Sequence, residues 1–203
     1  MLVLGGARSG KSRWAQERAA EFPRVTYVAT AQAGDAEMRE KIARHRSERP
    51  STWRTVEAPV HLPEVIRSES QDADVLLIDC FTLYLANVIR TGRDSEAQNS
   101  RRIRELRDAI HSSTTSIIAV SNEVGSGVVP AFRSGRVYRD LLGQLNQEVA
   151  AIADTVVLLI AGVPLAVKGR LAPRRRPRIS TSFGTAKHAG TKSDACRGSA
   201  MFR

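Results

Sequence analysis

Cysteine is scarce: the 203-residue chain holds two, Cys80 and Cys196. Two cysteines exclude a disulfide framework. With four histidines and no Cys-x-x-Cys pair, they also argue against a zinc site. Aromatic residues are only 5% of the chain, and they do not interleave with basic ones as a groove for single-stranded nucleic acid would require. No apolar run approaches the length of a membrane span. The first apolar residues, Leu2 to Leu4, run straight into Gly5-Gly6, so no signal peptide is expected. The hydrophobic share of 42% and charged share of 26% are ordinary for a globular protein. The expectation is a soluble, reduced, cytoplasmic protein with no membrane span.

What the chain has in excess is positive charge, a formal +10, and that charge is unevenly placed. From Gly169 to Arg203 nine basic residues face one acid, a net of +8, which leaves +2 for the first 168 residues. The same segment holds Pro173, Pro177 and many Ser, Thr and Gly, with no apolar period. Such a composition buries too little surface to offset its ordering entropy. Two units are therefore expected: a folded domain over residues 1–168 and a basic, disordered tail over residues 169–203. An electrostatic arm for nucleic acid is the functional alternative for the tail. Because the body is nearly balanced, no nucleic-acid partner is expected.

The body alternates short β-branched runs with amphipathic stretches, the pattern of an α/β fold with a mostly parallel sheet and helices on both faces. The spacing predicts strands at Leu2–Leu4, Arg24–Ala29, Trp53–Val56, Val75–Asp79, Ser116–Ser121 and Thr155–Ala161, with a short edge run at Leu165–Lys168. Helices are expected at Lys11–Glu21, Ala36–Arg46, Leu62–Ser68, Thr82–Ile89, Glu96–His111 and Arg136–Ala153. In the last of these, Val137, Leu141, Leu142, Leu145, Val149 and Ile152 form one apolar stripe.

Gly5-Gly6-Ala7-Arg8-Ser9-Gly10-Lys11-Ser12 fits G-x-x-x-x-G-K-[ST], between an apolar run and a helical pattern. Its glycines let backbone N–H groups curl toward phosphate oxygens, and the helix that follows adds favourable potential for anions. Lys11 is suited to the β- and γ-phosphates of a nucleoside triphosphate and Ser12 to Mg2+. Val75-Leu76-Leu77-Ile78-Asp79 is an apolar strand ending in an acid, which places Asp79 near the same Mg2+. The two features establish triphosphate binding and a P-loop NTPase-like fold. They leave open what the triphosphate is used for.

Further blocks follow in order: Ala29-Thr30-Ala31; Asp35, Glu37 and Met38; His45-Arg46, Arg49-Pro50, Trp53, Thr55 and Glu57; Leu77 to Leu85 with Asn87; Val120 to Gly125 with Gly127, Val129 and Pro130; Arg139-Asp140, Gly143 and Asn146-Gln147; and Ala161 to Leu165. Residues 2 to about 168 thereby resemble the bifunctional adenosylcobinamide kinase/adenosylcobinamide-phosphate guanylyltransferases of cobalamin biosynthesis. The resemblance implies two reactions: ATP or GTP phosphorylates the aminopropanol hydroxyl of adenosylcobinamide, and GTP then donates GMP to that phosphate with release of pyrophosphate. It implies a GMP–histidine intermediate on His45 and a homotrimer. It also implies nucleotide contacts at Ala29, Thr30, Ala31, Arg46, Arg49 and Glu57, besides Gly5 to Ser12 and Asp79.

The residues themselves are compatible with that role for His45. An attacking imidazole must be neutral, as histidine substantially is near neutral pH. Pro50 biases Arg49 away from helix, so the helix carrying His45 ends there and leaves the ring on a last turn beside a loop. By spacing alone a surface histidine on a basic helix end is the simpler reading, and the surrounding family blocks shift the expectation to the nucleophile. Glu57 has the acceptor oxygens that guanine N1–H and its amine need, or is a solvated strand-end acid. Glu123 lies at a carboxyl strand edge, where it orients a hydroxyl or simply ends the strand. Arg136 and Asp140 are expected to form an i,i+4 surface pair. His61, His111 and His188 read as surface residues. Two rival functions stand beside the resemblance: a P-loop small-molecule kinase without guanylyltransferase activity, and a nucleic-acid-binding P-loop protein.

Overall fold

In the computed structural model, residues 1–47, 49–91 and 95–171 are described. Of the tail expected over residues 169–203, residues 169–171 are described and the rest, with Cys196 and His188, lies outside the described residues. Among the described residues seven strands form one sheet: β1 (Leu2–Gly5), β2 (Val25–Ala29), β3 (Arg54–Glu57), β4 (Val75–Asp79), β5 (Ser116–Val120), β6 (Val156–Ile160) and β7 (Val163–Lys168). Their order across the sheet is β3-β2-β4-β5-β1-β6-β7. All pairings are parallel except β6 with β7. The α/β expectation holds, and β5 is inserted between the strand that feeds the phosphate loop and the strand that ends in Asp79.

Among the described residues six helices cover the sheet: α1 (Lys11–Ala19), α2 (Ala36–Ser47), α3 (Leu62–Glu69), α4 (Phe81–Thr91), α5 (Glu96–His111) and α6 (Arg133–Ile152). α5 starts at a capping box, in which the Ser95 hydroxyl accepts from Gln98 N–H and the Gln98 side chain accepts from Ser95 N–H. α6 begins three residues earlier than its apolar stripe indicates, because an exposed first turn needs no apolar residue.

Two apolar clusters sandwich the sheet. On one face α1 sets Trp14, Ala15 and Ala19 against Val3, Tyr27, Leu77 and Val120. On the other, Leu142 and Leu145 of α6, Leu106 of α5 and Ile66 of α3 pack on Leu2, Leu76 and Ile78. Because β4 is covered on both faces, Val75 to Ile78 are all buried. Phe81 and Tyr84 join the second cluster, so these bulky residues act in packing. Leu145 is fully buried. Leu145→Ala is expected to cost about 2–5 kcal/mol of stability through lost transfer energy and a cavity, measured as a lower midpoint in urea at unchanged slope.

Candidate active site

The phosphate loop joins β1 to α1 at the carboxyl edge of the sheet. Gly5 is buried, and a Cβ there would lie 2.5 Å from Ser9 Oγ and 2.8 Å from the Leu159 carbonyl oxygen, so only glycine fits. Gly10 takes the left-handed conformation, with φ of 88°, and turns the chain into α1. The loop is braced from behind by the β6–β7 turn, where Gly162 N–H donates to the Ser9 carbonyl at 3.0 Å. Lys11 Nζ donates to the Gly6 carbonyl at 3.0 Å and so lies along the loop.

Asp79 ends β4 on the same sheet face as α1. Ser12 Oγ donates to its Oδ1 at 3.3 Å, and the Tyr27 hydroxyl donates to its Oδ2 at 2.8 Å. The cause is register: Tyr27 of β2 pairs with Leu77 of β4, two residues before Asp79 on the same face. Burial first, then the Asp79 charge, holds the Tyr27 phenol well above its ordinary range, so it stays a donor. Burial and the same carboxylate push the Cys80 thiol up to about 11, which favours the neutral thiol. A hydroxyl and a carboxylate side by side are hard oxygen donors that suit Mg2+. Among the described residues no group of three or more His, Cys, Asp or Glu could hold a metal.

A cleft of about 760 Å³ opens over the loop, lined by Ala7 to Arg13 together with Glu40, His45 and Asn122. His45 stands in the last turn of α2 and shares this cleft with Lys11 and Ser12. Three buried polar atoms on the cleft residues lack hydrogen-bond partners: Ser9 Oγ, His45 Nδ1 and Asn122 Oδ1. Buried polar atoms are normally satisfied, so orphans clustered around a phosphate loop mark a place for a polar ligand.

The other expected nucleotide residues are spread along the same edge. Ala29 and Ala31 are half-buried around the end of β2, and Thr30 between them is fully buried. The Thr30 hydroxyl accepts from Cys80 N–H and donates to the Cys80 carbonyl, both at 2.7 Å, so it holds the end of β4. The Arg49 guanidinium lies 3.3 Å from the centre of the Tyr27 ring, a cation–π contact. Arg46 is exposed beside His45. Glu57 is exposed at the end of β3, with β2, β4 and β5 between it and β1. At the usual strand spacing that is about 19 Å from the phosphate loop.

Arg136 does not pair with Asp140. Its guanidinium turns back to the carbonyls of Pro130 and Ala131, at 3.1 and 2.7 Å, because the first turn of α6 leaves those loop oxygens within reach. Asp140 pairs with Arg139 instead, at 3.2 Å. Trp53 packs partly buried against the α1-side cluster, and His61 and His111 are exposed, as expected. Tyr27 and Asn122 were not legible as site residues. The signal for Tyr27 was its position two steps before the end of a strand neighbouring Asp79, which becomes visible only with the strand order.

A family model described as cobinamide kinase / cobinamide phosphate guanyltransferase matches residues 1–167. The bifunctional adenosylcobalamin biosynthesis protein CobP of Pseudomonas aeruginosa is 44% identical over 169 residues, covering 83% of this chain and 96% of that protein. The bifunctional adenosylcobalamin biosynthesis proteins CobU of Escherichia coli and Salmonella typhimurium are 37% and 36% identical over 179 residues, each covering 83% of this chain and 99% of the relative. These likenesses span the phosphate loop, the His45 helix and the whole sheet, so the chain belongs to the cobinamide kinase / cobinamide phosphate guanylyltransferase family and is a bifunctional transferase.

Proposed function

We propose that guanylyl transfer runs through a covalent GMP–His45 intermediate in the cleft over the phosphate loop. One observation carries this reading: the His45 ring shares the cleft with Lys11 and Ser12, and its Nδ1 is without a partner. A ring nitrogen of His45 attacks the α-phosphorus of GTP. The bond from that phosphorus to the bridging oxygen breaks, pyrophosphate leaves, and a P–N bond forms as the ring sheds its proton. An oxygen of cobinamide phosphate then attacks the same phosphorus. The P–N bond breaks, a P–O–P linkage forms, and the ring regains its proton. Incubation of the protein with α-labelled GTP and Mg2+ is expected to leave acid-labile label on the chain. A chain that transfers GMP to the acceptor but never carries label would overturn the intermediate.

In the kinase step the substrate hydroxyl is the nucleophile, so the protein positions it and stabilises charge. ATP or GTP is the phosphoryl donor. Gly5, Gly6, Ala7, Arg8, Ser9 and Gly10 direct their backbone to the phosphates, and Lys11 stabilises charge on the transferred group. Ser12 and Asp79 would hold Mg2+, which neutralises charge on the phosphate oxygens. Ala29 and Ala31 line the nucleotide at the end of β2, where the buried Thr30 between them holds the backbone in place, with Arg46 and Arg49 as phosphate contacts and Glu57 as the acceptor for guanine. The assembly is a cytoplasmic homotrimer. Support for these finer assignments comes from the order of the sequence blocks, and sedimentation of the full chain tests the trimer. Tyr27→Phe removes the hydroxyl that bonds Asp79 Oδ2. It is expected to raise the Mg2+ concentration for half-maximal kinase activity about tenfold or more, as loss of a partner behind a metal ligand does.

A further inference from the structure

A second cleft, about 550 Å³, lies on the α6 face of the sheet, bounded by Leu4 of β1, Glu123 after β5, and Gly143, Gln144, Asn146 and Gln147 of α6. It adjoins the phosphate-loop cleft through two residues. Asn122 lines the first cleft, and its carbonyl accepts from Asn146 Nδ2 at 3.0 Å. Glu123 lines the second, and its N–H donates to the Gly5 carbonyl at 3.1 Å, which ties it to the start of the phosphate loop.

Three features define what this second cleft accepts. Asn146, one of the lining residues, is only 6% exposed; its Nδ2 is held by the Asn122 carbonyl and its buried Oδ1 has no partner, so the wall contains an unsatisfied carboxamide. Gln144 and Gln147 add carboxamides that both donate and accept. The charged groups are two acids, Glu123 and Asp140, against one cation, Arg139, which already pairs with Asp140. That balance opposes a second triphosphate and suits a neutral ligand rich in amides. Gly143 stands inside α6 where a Cβ would meet nothing within 4 Å, so the helix leaves open space at the centre of this wall.

We propose that this cleft seats the carboxamide-bearing periphery of the corrinoid acceptor, and that the acceptor's hydroxyl arm passes Glu123 toward Lys11. Cobinamide is a large macrocycle edged with primary amides. Each such amide both donates and accepts, which matches the carboxamides of Gln144 and Gln147 on the cleft wall. The placement rests on the kinase activity of the family and not on the GMP–His45 intermediate. With the acceptor held on the α6 face and the nucleotide on the α1 face, the two substrates meet at the carboxyl end of β5.

The test is Gly143→Leu, which fills the cleft from a helix position that has room for a side chain. Leucine also favours helix over glycine, so the fold is expected to persist. In the kinase assay KM for cobinamide is expected to rise about tenfold or more, the order of losing one well-seated group. KM for the nucleotide and labelling of the chain by GTP without acceptor stay unchanged. Should Gly143→Leu fail to fold, the double variant Gln144→Ala/Gln147→Ala is read the same way. Folded variants whose cobinamide KM stays within about twofold of wild type, or whose cobinamide and nucleotide KM rise together, overturn the proposal. Absence of GTP labelling in the wild type would sink the covalent intermediate and leave this kinase readout intact.

Discussion

Replacing His45 by alanine is expected to separate the two reactions. Labelling by GTP disappears, GMP transfer falls by about 10⁴-fold or more, as when other covalent nucleophiles are removed, and cobinamide phosphorylation stays within a few-fold. The asymmetry follows from the chemistry. In guanylyl transfer the ring nitrogen is the atom that bonds to phosphorus, so nothing else in the cleft substitutes for it. In phosphorylation the nucleophile belongs to the substrate, and His45 is one wall among several. His45 is half-buried in the last turn of α2, and its Nδ1 makes no hydrogen bond, so alanine removes little that holds the fold. Assaying both products from one preparation, with thermal unfolding as the control, decides it. A variant that labels as strongly as the wild type would overturn the assignment.

Lys11→Ala is expected to depress both reactions. Phosphoryl transfer should lose about 10²–10³-fold, the usual cost of removing one preorganised donor from a developing negative charge. Lys11 rests along the loop, with Nζ on the Gly6 carbonyl, already in the cleft that both triphosphates enter. The expected pattern therefore differs from that of His45→Ala: one change removes a bond-forming atom from one step, the other removes charge stabilisation common to two. Kinase activity of Lys11→Ala within about threefold of wild type, below the cost of any oriented donor, would show that the lysine does not reach the transferred group.

How much of this was legible without coordinates depends on how local each feature is. The phosphate loop was legible because its glycines, lysine and serine lie within eight consecutive residues. Helix boundaries came close where chemistry marks them. α5 spans Glu96–His111 as read from its pattern, with its capping box just ahead. The last hairpin was not fully legible. Ala161 and Gly162 both adopt positive φ, 51° and 83°, in a two-residue turn that reverses β7 against β6. Ala-Gly lacks the Asn or Asp that usually announces such a turn. Arg136 misled for a related reason. The i,i+4 rule counts partners on one helix, and the carbonyls it bonds belong to the preceding loop.

The site divides along the same line. Thr30 was expected at the nucleotide, yet its hydroxyl bonds both sides of the Cys80 backbone, 50 residues away. Tyr27 reaches Asp79 across 52 residues because β2 and β4 are neighbours in one particular register. Neither contact leaves a trace in residue spacing.

By itself, then, the sequence determined the alternation of strands and helices, the phosphate loop and the confinement of surplus charge to the tail, because periodicity, glycine placement and composition are properties of short stretches. The tertiary structure alone decided the insertion of β5 between β1 and β4, the grip of Tyr27 and Ser12 on Asp79, and the junction of two clefts at Asn122 and Asn146. Those depend on strand order and register, which arise when both sheet faces are buried at once and no short window of residues can encode them.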